Sequence, residues 1–350
     1  MVKQFAFAVP GDLATPTGGY AYDRRILEEL KGLGWQIDVL DLGEGFPRPS
    51  AERKADARQR LADVPAGRPL VIDGLAYGVL PETAEELRER NPLVALVHHP
   101  LALETGLSPA DAEALFKSEQ AALAASRGII VTSPSTEQIL LDDYDVPGDT
   151  ITVARPGTDP GTLAPGSSDG VVRLISIGAV VPRKGFDVLM AALAKLPDLP
   201  WRLAIAGDLT REPAAAAQLH ADIQQHGLAD RVELLGVMPQ DRVAALYAGA
   251  DIFVLASRFE GYGMAFAEAL AHGLPVVGTT AGAIPDTVPP EAGVLVEPND
   301  VNALVRALRM VIENPDERRW FAAGARAAGE KLPTWQESAK RFASAIEALA

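Results

Sequence analysis

Cysteine is absent from this sequence of 350 residues, and histidine occurs only five times. The absence of cysteine excludes disulfides, thiol nucleophiles and thiolate metal sites, and it favours a reducing, cytoplasmic location. No apolar run approaches the roughly 20 residues that a membrane-spanning helix needs. The apolar run at residues 5–9 ends at a Pro-Gly turn and is too short for a signal-peptide core, so it predicts a first strand.

Positive charge is also in deficit, since the formal net charge is −15. Residues 1–165 contain 15 Lys and Arg against 25 Asp and Glu, a net of −10, and the remainder contains 17 against 22, a net of −5. A nucleic-acid-binding protein would show a basic face, so nucleic acid is not a predicted partner. One predicted helix carries a basic cluster: Arg48, Arg53, Lys54, Arg58 and Arg60. Its few large apolar residues favour a solvated face, with weak membrane association as the alternative.

Short apolar strands alternate with amphipathic helices through most of the chain. Strands are predicted at residues 4–9, 36–40, 70–73, 93–97, 128–132 and 150–154, and again at 171–177, 202–206, 232–235, 252–255, 275–278 and 294–296. Helices are predicted at 20–33, 109–125, 301–312, 315–328 and 335–349. This alternation predicts βαβ units, and hence an α/β fold with parallel sheets.

The alternation is interrupted at residues 155–170, which are rich in Pro, Gly and Ser and resemble an inter-domain linker. We therefore expect two Rossmann-like domains facing across a cleft, at residues 1–160 and 161–330, followed by a final helix at 331–350. In open α/β sheets ligands bind beyond the carboxyl ends of the strands, so the loops after strands are the places to search.

The strongest motif follows the strand at 252–255 and runs Ser257-Arg258-Phe259-Glu260-Gly261-Tyr262-Gly263-Met264. Glycines before a helix let the backbone approach a ligand, and the free N–H groups at the helix start suit a diphosphate. Glu268 lies within that helix among apolar neighbours, where a carboxylate is costly unless it is paired. A buried ion pair or an N–H acceptor is slightly favoured by composition, and a carboxylate that binds ribose hydroxyls is the functional alternative.

A second motif, Gly178-Ala179-Val180-Val181-Pro182-Arg183-Lys184-Gly185, follows the first strand of the second domain. The adjacent cations Arg183 and Lys184 can neutralise a diphosphate, although two surface cations are an equal alternative. The loop matches neither GxxxxGK[ST] nor GxGxxG, which argues against a P-loop and against nicotinamide binding.

Two weaker signals lie in the first domain. Gly18 and Gly19 open a helix after the first strand, and His98-His99-Pro100 follows the strand at 93–97. The two histidines lack evident partners for a metal site, so we expect neutral hydrogen-bonding or electrostatic roles. The Asp-x-Asp at residues 143–145 looks like a solvated helix end, so no metal site is predicted.

Together these motifs resemble retaining glycosyltransferases of family 4, which have the GT-B architecture. The resemblance covers nearly the whole chain and is densest from Gly178 to Pro298, where the Glu-x7-Glu pair Glu260 and Glu268 is its most specific element. This chain departs from the family pattern at Leu209, often a glycine, and at Ala283-Ile284-Pro285-Asp286, usually Gly-Ile-Pro-Glu.

The resemblance implies roles for the matched side chains. Arg183 and Lys184 would hold the donor diphosphate and stabilise the leaving group. Glu260 would contact the donor sugar, Glu268 would bind the ribose, and His98 would sit at the reacting carbon. Backbone contacts to the donor are implied at Gly18, Gly19, Gly178, Gly236, Val237, Met238, Gly261, Tyr262, Gly263 and Met264. The first domain would bind the acceptor, and the last helix would cross back onto it.

The resemblance thus implies a retaining, metal-independent transfer of a hexose from a nucleoside-diphosphate sugar, with UDP as the first guess and GDP as the second. No cofactor is expected. The acceptor would be a glycan, a lipid-linked intermediate or a small molecule. A sugar-nucleotide epimerase or hydrolase on the same frame and a sugar-nucleotide-binding regulator are the alternatives.

Overall fold

The computed structural model describes residues 3–349 and divides into two compact units. The first unit holds residues 3–157 together with 333–349, and the second is Thr158–Leu332. The sequence prediction placed the corresponding boundaries after residues 160 and 330. No helix within residues 3–349 is both long enough and apolar enough to cross a membrane.

The first unit is built on one parallel sheet whose strand order is β2-β1-β3-β4-β5-β6. Its described strands are β1 (Gln4–Val9), β2 (Gln36–Asp41), β3 (Leu70–Asp73), β4 (Leu93–Val97), β5 (Gly128–Val131) and β6 (Ile151–Val153). Its described helices are α1 (Gly18–Gly32), α2 (Ala51–Ala62), α3 (Gly74–Tyr77), α4 (Pro81–Leu87), α5 (Pro109–Ala124), α6 (Pro134–Asp143) and, from the end of the chain, α14 (Trp335–Glu347).

The final helix, α14, packs within the first unit. It begins in a capping box between Thr334 and Glu337, and its apolar face places the Phe342 ring 6.3 Å from the ring of Phe5 in β1. Trp335 at its start covers Gly157, where a Cβ would collide with the Trp335 backbone. The hydrophobic face of this helix is therefore buried on the first unit.

The second unit is built on a second parallel sheet with the order β12-β11-β10-β7-β8-β9. Its described strands are β7 (Val172–Ile177), β8 (Trp201–Ala206), β9 (Val232–Gly236), β10 (Ile252–Val254), β11 (Val276–Thr279) and β12 (Gly293–Val296). Its described helices are α7 (Phe186–Leu193), α8 (Pro213–Gln225), α9 (Gln240–Ala248), α10 (Met264–Ala271), α11 (Ile284–Thr287), α12 (Val301–Glu313) and α13 (Pro315–Gly329).

The strand orders locate a topological switch point in each sheet. In the second unit the chain proceeds outward from β7 to β9 and then returns to β10 on the other side of β7, which is the Rossmann order. In the first unit the corresponding reversal lies between β1 and β3. Ligands of open α/β sheets bind outside the carboxyl ends of the strands at such points. The α/β prediction is confirmed, and each of the twelve predicted strands is present with ends shifted by no more than about one residue.

Candidate active site

The cation pair follows β7 on a tight turn. Pro182–Lys184 forms one turn of 3-10 helix, and Gly185 ends it with a φ of +64°. A Cβ on Gly185 would collide with the carbonyl oxygen of Ala256. Only glycine meets both conditions, so Gly185 fixes the turn that presents Arg183 and Lys184 at the switch point.

Glu260, in the loop after β10, is the point where these cations converge. Lys184 Nζ lies 2.6 Å from its Oε1, and Arg183 Nη1 lies 3.1 Å from its Oε2. The Ser257 hydroxyl also donates to Oε1 at 2.6 Å. The Glu260 backbone is anchored as well, because its carbonyl accepts from the Ala283 amide at 2.9 Å. The residues that the two strongest motifs contain therefore form one cluster.

The cluster carries excess positive charge. Burial alone would raise the pKa of Glu260, but Lys184 and Arg183 lower it to about 2, so the carboxylate is ionised. Burial lowers the pKa of Lys184, and Glu260 opposes that effect. Two cations thus face one carboxylate. A lysine ammonium has three N–H donors, and the hydrogen bond from Lys184 to Glu260 uses one of them.

Gly263 starts α10 beside this cluster. It has a φ of +87° and no side chain caps the helix, so the first amides of α10 have no side-chain acceptor. Gly261 and Met264 are half-buried and Tyr262 is buried. An uncapped helix N-terminus offers N–H groups and a positive dipole end to an anion.

Glu268 lies one turn further along α10, and the structure corrects the favoured interpretation of it. Its Oε2 accepts a hydrogen bond from the Tyr247 hydroxyl at 2.9 Å, which is neither an ion pair nor a backbone N–H bond. Burial is the main cause that raises its pKa to about 7. The structure records no partner for Oε1 among residues 3–349. Glu268 and Glu260 thus have separate partners.

Gly178 and residues 236–238 lie at the carboxyl ends of β7 and β9, at the same edge of the second sheet as the cluster. A Cβ on Gly178 would lie 3.2 Å from Cε of Lys184, so this glycine leaves room for the lysine stem. Gly236 ends β9 with a φ of +67°, the Val237 side chain is 59% exposed, and Met238 is half-buried. An exposed apolar side chain at the carboxyl end of a strand can pack against a flat base.

In the first unit, His98 follows β4 and meets two buried aspartates. Its Nε2 lies 3.1 Å from Asp23 Oδ1 and 3.5 Å from Asp73 Oδ2. Burial would lower the pKa of His98, but the two carboxylates raise it well above its usual value. Of the two roles expected for this histidine, neutral hydrogen bonding or an electrostatic role, the two carboxylate contacts favour the electrostatic one. His99 lies apart from this group, with Nε2 3.3 Å from Glu104.

Gly19 packs against the His98 ring. A Cβ on Gly19 would lie 3.3 Å from Cδ2 of His98, whereas a Cβ on Gly18 would meet nothing within 4 Å. The Tyr22 ring contacts the imidazole edge-on, with 5.4 Å between ring centroids. Gly19 and Tyr22, both in α1, thus hold the imidazole in place.

Three residues of these clusters were missed by the sequence analysis: Asp23, Asp73 and Tyr247. Ser257 was included in the strongest motif but was given no role. Asp73 had a usable signal, because it ends an apolar strand at the same sheet edge as His98. Asp23 had a weaker one, as a carboxylate one helical turn after Gly19. No local sequence pattern indicates Tyr247, because its hydrogen bond to Glu268 forms only when α9 packs against α10.

The remaining polar motifs stay at the surface. Arg53 and Arg60 pair with Asp56, and Arg58 pairs with Glu86, so carboxylates neutralise much of the basic cluster. The exposed Asp143 and Asp145 flank Tyr144, whose buried ring is an exception to the solvated turn that was predicted.

The strand orders of the two sheets define the fold class. Two parallel six-stranded sheets in series form the GT-B architecture, and solved glycosyltransferase structures share it. Sucrose-phosphate synthase from Thermosynechococcus elongatus aligns with a TM-score of 0.80 at 22% identity over 99% of each chain. The Anabaena HepE structure with UDP and glucose aligns with a TM-score of 0.77 at 18% identity, over 98% of this chain and 99% of that one.

The sequence comparisons point in the same direction. Residues 165–328 match the model for glycosyl transferases group 1. A D-inositol 3-phosphate glycosyltransferase from Xylanimonas cellulosilytica is 32% identical over 63% of this chain and 57% of its own length. An MMP alpha-(1->4)-mannosyltransferase from Mycolicibacterium hassiacum is 26% identical over 73% of this chain and 65% of its own length. The resemblance to GT-B glycosyltransferases is confirmed. The aligned part of this chain covers less than two thirds of the length of each of these two relatives.

Proposed function

We propose that this protein transfers a hexose, with retention of anomeric configuration and without a metal ion, from a nucleoside-diphosphate sugar to an acceptor hydroxyl. The donor is UDP-linked as the first choice and GDP-linked as the second. The observation that carries the proposal is the convergence of Arg183, Lys184 and Glu260 at the switch point between β7 and β10.

The donor diphosphate is assigned to this cluster. Its two cations exceed its one carboxylate, and the amides at the start of α10 add further N–H donors. Donors held in place before the reaction stabilise charge that develops on a leaving diphosphate. Glu260 orients the cations here and is proposed to contact the hydroxyls of the sugar. This arrangement performs the work that a divalent cation performs in metal-dependent transferases.

The nucleoside is assigned to the neighbouring loops. Glu268 keeps one carboxylate oxygen for the ribose hydroxyls while Tyr247 holds the other. The backbone at Gly236 and Met238 and the exposed Val237 are proposed to face the base.

The proposed step is balanced within the substrates. The bond from the anomeric carbon to the phosphate oxygen breaks as the bond to the acceptor oxygen forms on the same face. The proton of the acceptor hydroxyl passes to the departing phosphate oxygen. The first unit is proposed to bind the acceptor. The relatives compared above are named as glycosyltransferases, so an epimerase or a hydrolase has no support from them.

The proposal is tested with radiolabelled UDP-glucose and GDP-mannose, with and without a cell extract that supplies acceptors. We expect label in a new product only when extract is present, and an α-linkage from these α-linked donors by NMR. Release of free sugar, or conversion of the donor without an acceptor, would contradict glycosyl transfer. An inverted product would contradict retention alone.

A further inference from the structure

The two aspartates beside His98 form a charged cluster to which nothing above assigns a function. One nitrogen or oxygen from each of Asp23, Asp73 and His98 lies within 4.8 Å of the others. The aspartate side chains are 0% and 1% exposed, whereas the histidine side chain is 18% exposed. The part of this cluster that a substrate can reach is therefore the imidazole.

The cluster needs a positive charge. Asp73 Oδ1 accepts from the Leu75 amide at 2.8 Å, but Oδ2 of both aspartates lacks a hydrogen bond from any described residue. The only cationic side chain recorded in contact with either carboxylate within residues 3–349 is His98. Arg24 acts on Asp23 only at longer range, and Tyr22 is held neutral by burial. Buried carboxylates without a counter-charge are strongly disfavoured.

The geometry also assigns the two ring nitrogens. Both carboxylates face Nε2, so this nitrogen carries a proton that is directed to Asp23 at 3.1 Å, and the 3.5 Å contact with Asp73 is an ion pair. No hydrogen bond is recorded at Nδ1 from the described residues. Nδ1 is thus the nitrogen left for a substrate.

We propose that Asp23 and Asp73 are positioning residues that keep the His98 ring doubly protonated, so that Nδ1–H acts as a hydrogen-bond donor and not as a general base. The role of this donor in turnover rests on the proposed function. The protonation state does not, because it is set within the first unit. It follows that the acceptor proton cannot pass to His98, in agreement with its transfer to the leaving phosphate.

The direct test is a pH titration of the full chain labelled with 15N-histidine, followed by NMR between about pH 5.5 and 9. The ring signals of His98 are assigned by their loss in His98→Gln. We expect both nitrogens to keep imidazolium shifts through pH 8, which requires a midpoint at least about two pH units above the ordinary value near 6.5. A change to the shifts of a neutral imidazole below pH 8 would overturn the proposal.

Variants identify the source of the effect. Asp73→Asn should lower the midpoint, and Asp23→Asn combined with Asp73→Asn should lower it below about 6.5, since burial then acts alone. Glu28→Gln, on the exposed side of α1, is the matched control and should change nothing. If the double variant folds and the His98 midpoint is unchanged, the two aspartates are not the cause of the raised midpoint. If that variant fails to fold, the wild-type titration and Asp73→Asn still decide.

Two further measurements separate competing explanations. Zn²⁺ added to the labelled protein should leave the His98 signals in place, and a saturable shift would mean that the cluster binds a metal ion instead. In turnover, His98→Gln keeps an N–H donor but no base, so it should retain at least roughly tenfold more activity than His98→Ala. Equal loss in both variants would overturn the donor role. If His98 titrates as expected but the wild type transfers no sugar to any acceptor, the result counts against the proposed function and not against the protonation of His98.

Discussion

Lys184 Nζ and Glu260 Oε1 lie 2.6 Å apart although 76 positions separate the two residues in the chain. The contact joins the loops that follow β7 and β10, which are the two strands that flank the switch point of the second sheet. Because Arg183 binds the other oxygen of the same carboxylate, the three side chains hold one another in place before any ligand arrives.

Loss of either member of this contact should reduce turnover more than it reduces stability. We expect Lys184→Ala and Glu260→Ala each to lower kcat by roughly a hundredfold or more, the usual size of a lost charge-stabilising group. Arg306→Ala, an exposed cation on α12, is the matched control. Steady-state rates and thermal unfolding measured side by side decide the matter, and near wild-type rates in both cluster variants would rule out the assigned roles.

Binding of the donor should depend on pH through Glu268. Its pKa is raised to about 7, so the carboxyl is largely protonated at pH 6 and largely ionised at pH 8. If the carboxylate accepts hydrogen bonds from the ribose, affinity for UDP-glucose or GDP-mannose should rise across this interval and then level off. Calorimetry should show a weaker and pH-independent affinity in Glu268→Gln.

Tyr247→Phe provides the companion test. The Tyr247 hydrogen bond opposes the effect of burial on the pKa of Glu268, so its removal should raise that pKa further. The rise in affinity should then occur at a higher pH than in the wild type. If the affinity for the donor has the same pH dependence in the wild type and in both variants, Glu268 does not bind the ribose.

The regular elements could be predicted because their signals are local. Apolar strands such as Leu70–Asp73 and Leu93–Val97 are buried along their whole length, as in a parallel sheet covered on both faces. Some of the helices also begin at a capping side chain, as α2 does at Ser50 and α5 at Ser108. The loops after β7 and β10 could also be singled out, since their residue types are unusual for surface turns. The alternation of strands and helices predicted parallel sheets, and the strand order that brings these loops together is a finding of the structure.

The partners within each cluster could not be predicted, because they come from elements distant in sequence. Asp23 in α1 and Asp73 at the end of β3 converge on His98 only when three elements pack, so the sequence could not reveal these partners. Tyr247 reaches Glu268 from another helix in the same way. Sequence patterns specify which face of an element is buried, but they do not specify which polar group it meets there.

Gly18 and Gly19, at the start of α1, could serve either to let the backbone approach a phosphate or to leave room for the His98 ring. If both glycines were needed for the backbone to approach a phosphate, alanine at either position would be harmful. The structure instead places Gly19 against the His98 ring and leaves open space at Gly18. Gly19→Ala should therefore lower turnover by roughly tenfold or more through overpacking, while Gly18→Ala keeps near wild-type activity. Equal effects in the two variants, measured as kcat/KM, would favour the phosphate role.

Removal of divalent ions should leave transfer intact. In the proposed mechanism, Arg183 and Lys184 supply the positive charge for the diphosphate, and the amides at the start of α10 add N–H donors. Turnover in excess EDTA is expected to match that in the untreated enzyme. A complete loss that Mg²⁺ or Mn²⁺ restores would contradict the metal-free mechanism while leaving the donor assignment in place.

Glu119 predicts a pH dependence of stability that is independent of catalysis. This residue of α5 is 1% exposed, and its Oε2 accepts from the Leu101 amide at 2.9 Å and from the Tyr144 hydroxyl at 3.0 Å. No cation contacts it among the described residues, and burial raises its pKa to about 7. The folded chain therefore keeps a proton on Glu119 at pH values where the unfolded chain has lost it.

The sign of the effect follows from this difference. The stabilising contribution is complete below the unfolded pKa near 4.5, and it is lost as the pH rises through the folded value near 7. Relative to Glu119→Gln, which cannot ionise, the wild type should lose up to about 1.4 kcal/mol per pH unit in this window and then no more. Urea unfolding of both proteins at pH 5, 6, 7 and 8 measures the difference. If the free energies of unfolding of the two proteins differ by the same amount at every pH, the pKa of Glu119 is not raised.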